Sequence, residues 1–312
     1  MRGDESPLVS VIIPMFNSQD WIVGLLKSIL SQTYKNIEIV LVNDGSTDAS
    51  AEIVSMFSRH QAGIKLRMVT QENSGVSEAR NEGVRQSSGD LLAFVDSDDI
   101  WMATKIERQV AEIQNGKAAA VACGYAIFRD FDREVLDVVH PTWSLSGVRN
   151  WLLFRSYGGL LSSTLMIRRE AFLLAGPFRR DLSLSADIEF AWRLLQITPV
   201  LLVDIPLVGY RLRPNQMHQQ TALLLAESKR MIEIVEILKN DKYQRIYLSN
   251  LYLRLFLYRA RDGALGSGLT FLMTALRANP WEVARTTLGI MLLRTRRKFK
   301  FFQRKSFLLP PE

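Results

Sequence analysis

The sequence has one cysteine, Cys123, in 312 residues, so no disulfide can close within the chain. That suits a reducing compartment, with the cytoplasm as the default expectation. Long apolar runs are also missing. None reaches the roughly 18 residues of a membrane span, and the longest candidate, Ala264 to Leu276, is interrupted by glycines and polar residues. The stretch Met1 to Leu8 is polar, with Asp4 and Glu5, and no secretory leader is expected from it. No segment is of low complexity, and no internal repeat stands out. Between Glu282 and Glu312 there is no acidic residue at all, while Arg294, Arg296, Arg297, Lys298, Lys300, Arg304 and Lys305 crowd together. Much of the net charge of +7 therefore sits near one end. With 47% hydrophobic and 23% charged residues, the composition is that of an ordinary globular protein with room for a sizeable core.

The first hundred residues alternate between two patterns. Val9–Ile13, Ile37–Val42, Lys65–Val69 and Leu91–Val95 are short, mostly β-prone apolar runs, as expected of strands buried on both faces of a parallel sheet. Between them lie helical stripes: Trp21, Ile22, Leu25, Leu26, Ile29 and Leu30; then Ile53, Val54 and Phe57 after the start signal Ser46-Thr47-Asp48; then Val76 to about Arg85. An open α/β sheet follows, and such sheets bind ligands beyond the carboxyl ends of their strands. Polar residues follow each strand in turn: Asn17, then Asn43-Asp44-Gly45, then Gln71 to Gly75, then Asp96 to Asp99. Past Trp101 the reading is a helix from about Met102 to Gln114, strands over Ala118–Phe128 and Thr164–Ile167, and a helix around Ile188 to Leu195. Beyond Gln216 the pattern is helical, broken at Asn279-Pro280.

Val95-Asp-Ser-Asp-Asp99 puts three carboxylates within four positions directly after an apolar strand. Unpaired, they would repel one another and resist burial. A hard divalent cation, Mg²⁺ or Mn²⁺, resolves that conflict. The plainer alternative is an acidic turn whose Asp99 caps the next helix.

Four segments, VSVIIPMFN (Val9–Asn17), IVLVNDGSTDAS (Ile39–Ser50), NSGVSEARN (Asn73–Asn81) and GDLLAFVDSDD (Gly89–Asp99), occur in this order. Together they resemble the inverting family 2 glycosyltransferases of GT-A fold, and the resemblance runs on through Leu165–Phe178 and Ala186–Arg193 to about Arg213. It implies a GT-A α/β domain over 1–215, with a nucleotide-sugar-binding half (1–115) and an acceptor half (116–215). An α-helical C-terminal region would occupy 216–312. It also implies transfer of a sugar from a nucleotide-sugar, by expectation a UDP-sugar, to a hydroxyl acceptor on a glycan or lipid carrier, as in surface polysaccharide or glycolipid synthesis. Laid onto these residues, the family pattern makes Asp44 the partner of the uracil base, with Pro14 and Phe16 shaping its pocket, and puts Arg80 in the ribose–diphosphate region. Asp96 and Asp98 match the Asp-x-Asp signature, with Asp98 as direct metal ligand and Asp99 near the donor sugar or the metal shell. Asp187 matches the catalytic base.

Plainer alternatives stand beside three of these roles: a tight turn for Asp44-Gly45, a surface charge for Arg80, and helix capping for Asp187. Two departures from the family pattern stand out. Ala186 precedes Asp187 where many relatives carry Glu, although Glu189 keeps the next acidic position, and Arg213 stands where histidine is frequent. Trp143, Trp151 and Tyr157 are candidates to stack on an acceptor sugar or, more plainly, to fill the core, and His218 reads as incidental. Arg294 to Lys305 interleaves basic residues with Phe299, Phe301 and Phe302, which suits peripheral contact with an anionic membrane at its cytoplasmic face, the plainer alternative being a solvated basic tail. No nucleic-acid motif accompanies it. Two rivals remain open: a nucleotidyltransferase, which should carry a Gly-rich basic loop where this chain has Pro14-Met-Phe-Asn-Ser18, and a non-catalytic nucleotide-sugar-binding homologue, favoured only by Ala186.

Overall fold

A computed structural model describes residues 6–60, 65–116, 118–130, 132–155, 161–213, 221–261, 263–299 and 309. The chain divides into two compact units, one of residues 1–145, 160–213 and 307–312, the other of 146–159 and 214–306.

The first unit is built on a mixed sheet. Strands β1 (Val9–Met15), β2 (Ile37–Asp44), β3 (Leu66–Gln71) and β4 (Leu91–Phe94) pair in parallel in the order β3-β2-β1-β4. Val9 to Ile13 are all fully buried, so both faces of β1 are covered and the run is apolar except for Ser10, whose hydroxyl donates to Glu38 and accepts the Gly89 N–H. β3 lies at the edge and is only partly buried. Helices α1 (Ile22–Leu30), α2 (Ser50–His60) and α3 (Val76–Arg85) fill the crossovers. Asp48 receives the Ser50 N–H at 3.0 Å and starts α2, as its place in the start signal suggests.

Beyond β4 come β5 (Ile100–Trp101), α4 (Lys105–Asn115), β6 (Ala120–Arg129), β7 (Val135–Val139) and α5 (Leu145–Leu152). β8 (Met166–Arg168), α6 (Arg169–Ala175), α7 (Ala186–Leu194) and β9 (Val200–Leu212) complete the unit. β8 runs antiparallel between β4 and β6, and β9 pairs in parallel with β6. The expected strand over Thr164–Ile167 is displaced: Ser162–Thr164 forms a 3-10 turn and the strand starts at Met166. β5, β7 and the thirteen-residue β9 carry no clear pattern in the sequence. In β9 the alternation is broken by Asp204 and Pro206, and the register with β6 shifts on both sides of Gly124. A Cβ on Gly124 would stand 3.1 Å from the Ile205 carbonyl, so the glycine admits the irregular strand.

The second unit contains most of α5 with α8 (Thr221–Ile234), α9 (Asp241–Arg261), α10 (Leu265–Ala278) and α11 (Pro280–Phe299). Leu253, Ala275 and Val283 are buried among Tyr252, Phe256 and Leu272. The break at Asn279-Pro280 is a helix start: the Asn279 side chain accepts the Glu282 N–H at 3.1 Å and Pro280 takes the first helical position. Glu282 is 4% exposed and receives Arg155 through two bonds of 2.8 and 2.6 Å, which with Arg285 and Asn250 holds its carboxyl down to about 2.

Candidate active site

The parallel registers bring the strand exits to one edge. Met15 is opposite Asn43 and Asp44 is opposite Gln71, while Ile12 is level with Phe94. The residues after these positions therefore share the carboxyl end of the sheet. Pro14 is buried in β1, and Phe16, just beyond it, is 47% exposed at the rim. Asp44 is buried, and its carboxylate anchors the next loop. Oδ1 accepts Gln71 Nε2 at 2.7 Å and the Ser74 N–H at 2.8 Å; Oδ2 accepts the Gly75 N–H at 2.9 Å. Gly45 does turn the chain, with φ of 74° and no room for a side chain 2.9 Å from the Asn73 nitrogen.

Arg80 is not a surface charge. It is 3% exposed, and its guanidinium bridges two carboxylates, Asp187 Oδ1 through Nη1 and Asp96 Oδ1 through Nη2, both at 2.7 Å. The two partners raise its proton affinity against the cost of burial, so it stays charged. Phe178 lies under it, 5.3 Å from ring centre to guanidinium carbon. Asp187 lies in the first turn of α7, yet its side chain does not cap that helix: Oδ2 accepts the Ser162 N–H at 2.9 Å, and the N-cap residue Ser185 makes no side-chain capping bond. Burial pushes the Asp187 carboxyl above the usual carboxylate range; Arg80 opposes the shift and Asp96 adds to it.

The acidic turn is no helix cap either. It leads into β5, and α4 begins six residues after Asp99, behind Thr104. Asp98 Oδ2 accepts Arg213 Nε at 2.6 Å, and Arg213 stacks over Trp21 at 4.5 Å. Asp99 is 1% exposed; Oδ1 accepts the Arg211 N–H at 3.4 Å and Oδ2 has no hydrogen-bond partner. Arg211 reaches the Asp98 carbonyl through Nε and Asp130 through Nη1. Burial pushes both Asp98 and Asp99 up. Arg213 opposes the shift at Asp98 while Asp96 adds to it; Asp98 and then Asp96 push Asp99 further. Buried, mutually repelling carboxylates with an unpartnered oxygen fit a divalent cation. Among the described residues no three His, Cys, Asp or Glu side chains form a closed metal cage. Mg²⁺ is usually held by one or two carboxylates together with substrate phosphates.

The family model "Glycosyl transferase family 2" matches residues 10–172, more than half of the chain. The chain belongs to that family. EpsH of Bacillus subtilis is 30% identical over 231 residues, covering 72% of this transferase and 66% of EpsH. Glycosyltransferase GlyA of Streptococcus pneumoniae is 42% identical over 122 residues, 39% of this chain and 17% of GlyA. The matches thus span less than two-thirds of these curated relatives' length. Staphylococcus aureus TarS 1-349, solved with UDP-GlcNAc, superposes with a TM-score of 0.59 at 17% identity over 86% of this chain and 92% of its own. The mannosyltransferase PcManGT of Pyrobaculum calidifontis, solved with GDP-Man and Mn²⁺, gives 0.58 at 18% over 96% and 85%. These likenesses establish the GT-A fold.

In the transferase the site contains residues that carry no signal in the sequence. Ser162 and Ser163 are buried in the turn before β8, and the turn joins both ends of the site. Ser162 N–H holds Asp187, Ser163 Oγ accepts the Asp96 N–H at 3.1 Å, and Trp101 Nε1 fixes the Ser163 carbonyl at 3.1 Å. Arg211, in the stretch Tyr210-Arg211-Leu212-Arg213 that resembles the family's Tyr-Arg motif, is brought to Asp98 and Asp130 by β9. Other candidates fall outside. Glu189 is buried and turned to Arg193, at 2.7 Å on each oxygen, and Ala186 is fully buried, so the family's extra carboxylate is replaced by a core methyl. Trp143 is buried and Trp151 half-buried. Tyr157, His218 and residues 300–305 lie outside the described residues, as do the side chains of 290–299.

Proposed function

We propose that this transferase is an inverting enzyme that moves a sugar from a nucleotide-sugar, a UDP-sugar by our reading, to a hydroxyl acceptor, with Asp187 as base. One observation carries the proposal: Arg80 ties Asp187 to Asp96 although the residues come from three separate segments, so base and donor-side carboxylates share one buried cation. Asp44, Pro14 and Phe16 stand at the carboxyl edge for the base of the nucleotide; Asp44 Oδ2 accepts a single bond and keeps a lone pair for a ring N–H.

In the reaction the acceptor O–H gives its proton to Asp187 as its oxygen attacks the anomeric carbon, and the bond to the nucleoside diphosphate breaks on the opposite face. Burial strengthens Asp187 as a base while Arg80 keeps it ionised. Asp98, with Asp96, would hold Mn²⁺ or Mg²⁺, which supplies Lewis-acid stabilisation of the leaving diphosphate. Arg213, at the same carboxylate, adds positive charge where histidine is frequent in relatives. Asp99 borders the donor sugar. The acceptor is a glycan or lipid-linked sugar, used at the cytoplasmic face of a membrane.

Asp187→Asn should cut kcat by about 100-fold or more, the scale of a lost general base, with UDP binding in Mn²⁺ retained in calorimetry. Asp98→Ala should weaken that binding as well. Full transfer by folded Asp187→Asn protein overturns the mechanism. UDP binding without any turnover in the unaltered protein supports the non-catalytic homologue instead.

A further inference from the structure

α10 has more apolar surface than its unit uses. Leu272 and Ala275 face the core with Leu253 and Val283. Leu265, Leu269, Met273 and Leu276 recur at i, i+4, i+8 and i+11, a spacing that places them on one face within an arc of about 80° at 100° per residue. All four are exposed, from 36% to 56%. Trp281, at the start of α11, is 85% exposed, and Leu288 two turns on is 59% exposed. Leucine and methionine so arranged give α10 an exposed apolar stripe, and α11 adds exposed apolar side chains of its own, a combination that suits docking.

The charge of the sequence from α10 onward selects the partner of this face. From Gly263 to Pro311 the sequence carries nine basic residues, from Arg277 and Arg285 to Lys305, and one acidic residue, Glu282. Glu282 is buried and neutralised by Arg155 and Arg285. The segment therefore offers apolar side chains and positive charge with no carboxylate free to repel an anionic surface. A second copy would bring the same positive segment against itself. α10, with 14 residues, is too short to span a bilayer, which takes about 20. No described helix is long and apolar enough to cross one.

We propose that the exposed face of α10, with Trp281 and Leu288, lies in the headgroup layer of an anionic lipid bilayer, the apolar side chains entering the acyl boundary and the basic residues meeting lipid phosphates. The inference adds a described surface to the basic tail, and rests on the proposed function only in giving a lipid-linked acceptor a reason to be met there.

The test is flotation of the full chain with vesicles of phosphatidylglycerol and phosphatidylcholine, and with phosphatidylcholine alone. The unaltered protein should float with the anionic vesicles, less so at high salt. Leu269→Glu combined with Met273→Glu should lower partitioning by about tenfold or more, since two apolar contacts become anionic. Leu269→Trp with Met273→Trp should retain it. Thermal midpoint and UDP-sugar hydrolysis, read on the same preparations, should not change, as both positions are exposed. Undiminished vesicle binding by the Glu variant overturns the proposal. So does an unaltered protein that ignores vesicles but self-associates in light scattering through the same residues. Loss of hydrolysis in the unaltered protein would count against the transferase reading alone, so the two failures are distinguishable.

Discussion

Replacing Arg80 with methionine keeps much of its volume and removes the charge shared by Asp96 and Asp187. The side chains of Arg80, Asp187 and Asp96 are 4%, 18% and 33% exposed. Removing one partner from a buried ion pair costs about 3–5 kcal/mol, because the charge left behind has lost its compensation. Asp96 is a third exposed and water takes up part of its charge, which puts the expected loss at the lower end, about 3 kcal/mol. In a unit of this size each kcal/mol moves the midpoint by about 2–4 °C, so a drop of about 6–12 °C is expected near pH 8. The loss depends on pH with a definite sign. Asp187 already has a folded-state proton affinity above its unfolded value, and without Arg80 burial and Asp96 raise it further. A group raised on folding contributes stability while protonated and loses it as pH rises through the folded value. The deficit should therefore shrink as pH falls toward the carboxylate range, and the acidic limb of the kcat profile should move to higher pH. Arg80→Lys should restore only part of both, since a point charge cannot span two carboxylates as a fork does. Calorimetric scans and transfer rates from about pH 5 to 8 would measure this. An Arg80→Met protein with unchanged midpoint and unchanged profile would refute the bridge as the organiser of the site.

Two further outcomes follow from the same electrostatics. Asp98 and Asp99 are both pushed up, so the metal-free protein should gain thermal stability as pH falls from about 8 toward 5, and Mn²⁺ with UDP should stabilise it most at the alkaline end, where the carboxylates are ionised; a pH-independent metal response in differential scanning fluorimetry would contradict the assignment. Ser163→Ala removes the acceptor of the Asp96 N–H without touching substrate. It should lower kcat by about tenfold with little change in KM for the donor, and Ser163→Thr should recover part of the rate; equal losses in both variants would point to packing instead.

Much of the nucleotide half was legible because its signals are local. Four apolar runs became β1 to β4, and Val76–Arg85 became α3 with the expected ends, since strands buried on two faces and amphipathic helices write their period into the sequence. β9 was not legible, because Asp204 and Pro206 break its alternation and its pairing with β6 and β5 makes it a strand. The Ser162–Thr164 turn carries no pattern because its partners lie 25 residues away at Asp187 and 67 away at Asp96. Asp99 as a helix cap was a reasonable reading of an acidic turn, but β5 intervenes before the next helix.

The sequence by itself determined the parallel strands, the polar exits at their carboxyl ends, the acidic cluster and the family to which they belong. The first three depend on residues within a few positions of one another, and the family on the order of several such local segments. Only the tertiary structure decided which charges meet: Arg80 with Asp187, 107 residues on, and Asp98 with Arg213, 115 residues on. It also decided their protonation, because a carboxyl's affinity for its proton is set by the water and charge around it, and both are fixed only when distant segments close over it.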